Sequence, residues 1–176
     1  MYALLAPDTP RVVNNSLVVA IDGVCREDGE PGVKGAYGVY FAPASALNSN
    51  GLLPLLDGGG GSDSGVPTSQ KAELYALSKA LDAVEQKFVS IMVSRLVIIT
   101  DSMYLIDGLT KHVWEWEYNG YVDEKGIPVV NGKTFKELHR RIGKLERDGK
   151  DVCFWAVERE WNAGADELAN AALEGQ

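Results

Sequence analysis

Two apolar runs in this chain each deliver an aspartate, and that pairing restricts its fold more than any other feature. Residues 17–22 (LVVAID) contain Asp22, and residues 95–100 (RLVIIT) run straight into Asp101. Both runs are rich in β-branched side chains and nearly free of polar interruption, so they read as buried strands. Strands of that kind need both faces covered, which points to an α/β sheet with helices packed on it. Asp22-Gly23 reads as the turn that stops the first run. The 176 residues suit one domain.

The remaining segments complete the α/β pattern. Residues 36–41 (AYGVYF) read as a second strand, joined to the first by a hairpin connection containing Gly29, Pro31, Gly32 and Gly35. Residues 48–69 hold the glycine run 58–61 with Ser, Asp and Pro. They read as a long loop with a short edge strand at 52–56. No GK[ST] follows these glycines, which argues against a phosphate loop. Residues 70–88 form a helix capped by Thr68 or Ser69, with Ala72, Leu74, Leu77, Ala80, Leu81 and Val84 on its apolar face. A short helix over 102–109, ended by Gly108, is followed by a second piece over 110–118 and a loop over 119–133. A helix over 134–148 sets Phe135, Leu138, Ile142 and Leu145 against a stripe of Lys136, Arg140, Lys144 and Arg147. A strand at 151–157 and a helix at 165–173 close the chain. The result is a mixed sheet flanked by helices.

Composition narrows the function. Hydrophobic residues make up 45% and charged residues 24%, which excludes a disordered chain. No apolar run reaches the roughly 18 residues of a membrane span. Cys25 and Cys153 lack CxxC spacing, which argues against structural zinc and a disulfide framework. The first ten residues have no basic segment or long apolar core, so an intracellular location, cytoplasm or nucleus, is expected. Net charge is −8, which disfavours a nucleic-acid partner unless some acids hold metal.

Four acids fit that exception. Asp22 and Asp101 lie at strand ends, Glu73 in the first turn of the long helix, and Asp166 in the first turn of the last. Taken singly, each is also a common turn former or helix-start residue. In open α/β sheets, however, ligands gather at strand ends and adjoining helix starts. Carboxylates that converge repel unless protonated or metal-bound, and oxygen-rich sites suit magnesium or manganese. Two such ions can activate a water and stabilise a leaving oxygen in phosphodiester hydrolysis.

These segments resemble the type 1 ribonuclease H family. The resemblance lies in Ala20-Ile21-Asp22-Gly23, Thr68-Ser69-Gln70-Lys71-Ala72-Glu73-Leu74, Thr100-Asp101-Ser102-Met103-Tyr104 and residues 159–169 (REWNAGADELA), in the family's order. It covers roughly residues 17–174, with 17–176 as the ribonuclease H domain and 1–16 as an N-terminal extension too short for a separate hybrid-binding domain. It implies a ribonuclease H-like mixed five-stranded sheet and cleavage of the RNA strand of an RNA–DNA hybrid, leaving 5′-phosphate ends. It further implies two magnesium ions, replaceable by manganese, on Asp22, Glu73, Asp101 and Asp166. Asp22 would bridge both metals, Glu73 and Asp101 would serve the nucleophile side, and Asp166 would complete the other site. Gly23, Thr68, Ser69, Gln70 and Asn162 would contact substrate, with Gly23 letting the backbone approach the minor groove.

The departures from the family are informative. Many members carry a histidine in the loop before the last acid; residues 157–162 (VEREWN) have none. Arg159 fits a subgroup with arginine there, and its alternative is a surface ion pair with Glu158 or Glu160. The handle-like region 110–133 is not basic, holding three lysines against four acids. Of Trp114 and Trp116, one is expected in the core.

Other readings differ at the same acids. Proofreading exonucleases place Asp-x-Glu after the first strand, whereas Asp22-Gly23-Val24 stands here. Transposase cores order their acids Asp, Asp, Glu, against Asp, Glu, Asp, Asp here. A catalytically weak hybrid-binding or scaffold module would be expected to lose an acid. The ribonuclease H domain of a retroelement polymerase would share all four. The chain is expected to act as a monomer.

Overall fold

The computed structural model describes residues 3–5, 15–26, 33–54, 66–87 and 93–175. Its strands are β1 (Ala3–Leu5), β2 (Ser16–Arg26), β3 (Lys34–Tyr40), β4 (Ser49–Leu52), β5 (Arg95–Thr100) and β6 (Asp151–Ala156). They form one mixed sheet in the order β1-β6-β5-β2-β3-β4. The five strands from β2 to β6 are the expected sheet, and β1 adds three residues of the N-terminal extension parallel to β6. The β2–β3–β4 portion is antiparallel, while β5 runs parallel to both β2 and β6.

Five helices flank the sheet: α1 (Ser69–Lys87), α2 (Met103–Asp107), α3 (Val113–Asn119), α4 (Gly132–Arg147) and α5 (Ala163–Glu174). One face carries the main core, in which Leu74, Leu77, Leu81, Leu105, Leu138 and Ile142 pack against Ile21, Ile98 and Phe154. The other face carries α5, which lies across β2, β3 and β4. Buried apolar side chains on both faces are what the uninterrupted runs in β2 and β5 demand.

Several boundaries depart from the sequence reading. Asp22-Gly23 is not a turn. The first strand continues to Arg26, and Asp22 and Gly23 pair with Gly38 and Tyr37 of β3. Glycine is required there because a Cβ on Gly23 would collide with the α1 backbone at Ala72 and Glu73. The edge strand is Ser49–Leu52, upstream of residues 52–56. The glycine run 58–61 lies outside the described residues.

Gly108 is the C-cap of α2, yet the chain stays helical beyond it. It has right-handed helical φ and ψ and opens a π-helical turn, Gly108–His112, that joins α2 to α3. A Cβ on Gly108 would strike the ring of buried Phe135 on α4, so packing rather than termination explains this glycine. Trp116 packs on Phe135 and against the core, whereas Trp114 is exposed and lies edge-on to His139. One tryptophan therefore joins the core, as expected.

Candidate metal and catalytic site

Three of the four acids converge at the end of the sheet where β2 and β5 lie side by side. Asp22 projects from within β2, Asp101 directly follows β5, and Glu73 comes from α1. Glu73 is the fifth residue of α1, one residue deeper than expected and just past the first turn, because the helix begins at Ser69. Carboxylate oxygens of Asp22, Glu73 and Asp101 lie within 4.8 Å of one another. Asp22 is 5% exposed, and Glu73 Oε2 is buried without a hydrogen-bond partner.

Such a cluster is electrostatically unfavourable as bare carboxylates. Burial first, and then the charges of Asp101 and Asp166, push Asp22 up to about 6 against the pull of the Gly23 amide and Arg159. Burial, followed by Asp22 and Asp101, pushes Glu73 up to about 9. Either protons or cations must relieve this repulsion. An all-oxygen set with an orphaned buried carboxylate oxygen suits a hard divalent cation. The residues present therefore fit the divalent metal implied by the sequence.

Asp166 stands apart from the three. Its Oδ1 accepts from Arg159 Nη2 at 2.7 Å, and its Oδ2 accepts from Asn170 Nδ2 at 3.1 Å. That ion pair holds the Arg159 guanidinium above its ordinary pKa. The partner of Arg159 is thus Asp166 rather than Glu158 or Glu160. Asn170 also donates to the Asp166 carbonyl at 3.0 Å. Its position four residues on, along one helix face, was a sequence signal that pattern reading passed over.

The expected substrate contacts divide. Thr68 caps α1: its Oγ1 accepts from Lys71 N at 3.2 Å, and its carbonyl accepts from Ala72 N at 2.9 Å. Ser69 and Gln70 are exposed on the first turn. The close approach that makes Gly23 necessary in this structure is to the α1 backbone. Asn162 is 1% exposed and ends the 3₁₀ turn Arg159–Asn162. Its Nδ2 donates to the Ile21 carbonyl at 2.9 Å and to Asp101 Oδ1 at 3.0 Å, tying this turn to β2 and to the acid after β5.

Comparison with known proteins agrees with this geometry. The RNase H family model matches residues 14–174, so the chain belongs to the ribonuclease H family. Ribonuclease H1 of Rattus norvegicus is 34% identical over 136 residues, covering 77% of this chain and 43% of the rat protein. This chain therefore spans less than half the length of that relative. Ribonuclease H of Geotalea uraniireducens is 31% identical over 156 residues, covering 87% of this chain and 90% of the other. Among solved structures, LC11-RNase H1 in complex with an RNA/DNA hybrid superposes with a TM-score of 0.56 at 20% identity. That match covers 90% of this chain and 96% of the other, and it is a likeness of fold.

Proposed function

We propose that this chain is a metal-dependent endoribonuclease that hydrolyses the RNA strand of RNA–DNA hybrids. The observation that carries the proposal is the convergence of Asp22, Glu73 and Asp101, with oxygens within 4.8 Å, on a ribonuclease H fold. The hybrid-bound state of LC11-RNase H1 supports the substrate class.

Asp22, Glu73 and Asp101 would hold the metal, and Asp166 would complete a second site. Two divalent ions, magnesium or manganese, supply activation of the attacking water and stabilisation of the leaving oxygen when bound. The chain's own residues do the rest. The Asn162 amide fixes the Asp101 carboxylate between β2 and β5. Asn170 holds Asp166 toward the same end of the sheet. Arg159, permanently charged, neutralises Asp166 and is placed to grip a phosphate oxygen. Thr68, Ser69 and Gln70 present short polar groups at the start of α1, where backbone N–H groups favour phosphate.

All four acids come from one chain, so a monomer suffices. Residues 17–176 form the catalytic domain in this reading, with 1–16 as an extension. Cys25 and Cys153 are not joined in a disulfide, which fits a reducing, intracellular compartment. Among the described residues no helix is long and apolar enough to cross a membrane.

Incubation with an end-labelled RNA–DNA hybrid tests the proposal. Magnesium should yield RNA fragments with 5′-phosphate and 3′-hydroxyl ends, and EDTA should stop the reaction. Equal cutting of duplex DNA, or cutting that survives complete chelation, would overturn it.

A further inference from the structure

Beside the acidic cluster, on the side of β5 and β6, lies an open groove of about 880 Å³. Asp101, Glu158 and Arg159 supply its charged lining, and Ile99, Met103, Trp155 and Trp161 its apolar lining. Trp161 is 76% exposed and Met103 is 47% exposed. Trp161 is held by backbone rather than by packing: it sits in the 3₁₀ turn, its N–H donates to the Glu158 carbonyl at 2.9 Å, and its neighbour Asn162 is anchored to Ile21 and Asp101. A large aromatic ring left in solvent on an anchored turn next to a catalytic centre is a contact surface awaiting a partner.

The ring and its position identify that partner. The groove is continuous with the metal-binding acid Asp101, so a strand cut at the metals passes its mouth. Bases inside a duplex are already stacked on both faces, and only an unpaired base can lay its face on a tryptophan. The groove volume falls within the range of roughly 300–1,000 Å³ typical of small-molecule sites. Arg159 at the rim supplies a cation for the accompanying phosphate.

We infer that this groove binds an unpaired ribonucleotide of the cleaved strand, with its base stacked on Trp161, so that the enzyme favours hybrids whose RNA strand continues beyond the paired region as single-stranded RNA. The inference rests on the ribonuclease H reading above and adds a substrate preference to it.

The test compares four substrates: a fully paired hybrid, the same hybrid with a three-nucleotide RNA overhang on the 5′ side, one with that overhang on the 3′ side, and one with a DNA-strand overhang. Wild type should show kcat/KM higher by about five- to a hundredfold on an RNA overhang of at least one side, the scale of one stacked base. The DNA overhang should give no gain. Trp161→Ala should lose the gain while cleaving the fully paired hybrid within twofold of wild type, and Trp161→Phe should keep most of it. An equal gain in Trp161→Ala, no gain in wild type, or the same gain from the DNA overhang would overturn the inference. Binding of a short labelled single-stranded RNA to wild type and Trp161→Ala, followed by fluorescence anisotropy, reads the groove independently of cleavage. Weaker binding by the variant supports the groove, and equal binding overturns it. Absence of any hybrid cleavage would instead count against the ribonuclease H reading.

Discussion

Arg159 and Asn162 sit three positions apart on one 3₁₀ turn and do opposite things. Asn162 faces inward and fixes Asp101, while Arg159 faces outward and closes on Asp166 at 2.7 Å. With no histidine in this loop, the turn offers a cation that cannot act as a base, because a guanidinium stays protonated at any working pH. In the proposed mechanism it would hold phosphate by charge and a planar pair of donors. Arg159→Ala should lower single-turnover cleavage at saturating magnesium by about one to three orders of magnitude, the scale for losing a transition-state donor. Arg159→Lys should recover only part of the rate. Cleavage by the alanine variant within twofold of wild type would reduce Arg159 to a surface ion pair. At this scale the sequence showed the acids but not their supports. Asp22, Glu73, Asp101 and Asp166 each sit in a readable local motif. The Asn162–Asp101 bond joins residues 61 apart, a separation at which local pattern carries no information.

Between elements, what sequence spacing missed is mostly side-chain packing across long separations. The stripe of Lys136, Arg140, Lys144 and Arg147 on α4 was legible, but Arg141 is the cation that ties α4 to α1. It is 8% exposed and lies on the apolar side of α4. It donates from Nε to Glu85 at 3.1 Å, from Nη2 to Asp82 at 2.8 Å, and from Nη1 to the Ser78 carbonyl at 3.2 Å. All three partners lie on α1, so a single guanidinium clamps the helix that carries Glu73 to α4. Gly108 tells a similar story at the α2–α4 contact. Its backbone is helical, so Gly108→Ala gains about 1 kcal/mol of helix propensity. The added methyl meets the Phe135 ring, which is fully buried, and overpacking of that kind costs about 1–3 kcal/mol. A net loss of up to about 2 kcal/mol should appear as a fall in Tm of up to several degrees in thermal melting. A variant that melts at or above wild type would show that the ring moves aside freely. The sequence reading took this glycine as a helix end because termination and close packing select the same residue.

Across the whole molecule, the succession of elements and the mixed, helix-flanked sheet followed from the two apolar runs and the spacing of the helices, whereas the order β1-β6-β5-β2-β3-β4 within the sheet did not. The exact length of the first strand did not, since Asp-Gly is a turn signal until a helix backbone packs against it. The overall charge of −8 looks unsuited to a nucleic-acid enzyme, yet part of that acidity is concentrated at one end of the sheet for a purpose. The central claim is that Asp22, Glu73 and Asp101 are built for divalent cations, and pH exposes it. Folding raises Asp22 from 3.8 to about 6 and Glu73 from 4.5 to about 9. A carboxyl raised on folding contributes stability in full below its unfolded pKa and loses it as pH climbs through the folded value. Metal-free protein should thus lose stability between pH 4 and 9 through these two groups. Other groups titrate over the same span, so the diagnostic quantity is the gain in Tm on adding magnesium, measured at pH 5 and at pH 9. At pH 5 Glu73 is protonated and competes poorly for the ion, so the gain should be small. At pH 9 magnesium at a hundredfold its Kd should add about 2.7 kcal/mol, a rise of roughly 5–10 °C, and Asp101→Asn should lose most of that rise. A magnesium effect that is absent, or equal at both pH values and unchanged in Asp101→Asn, would contradict the account.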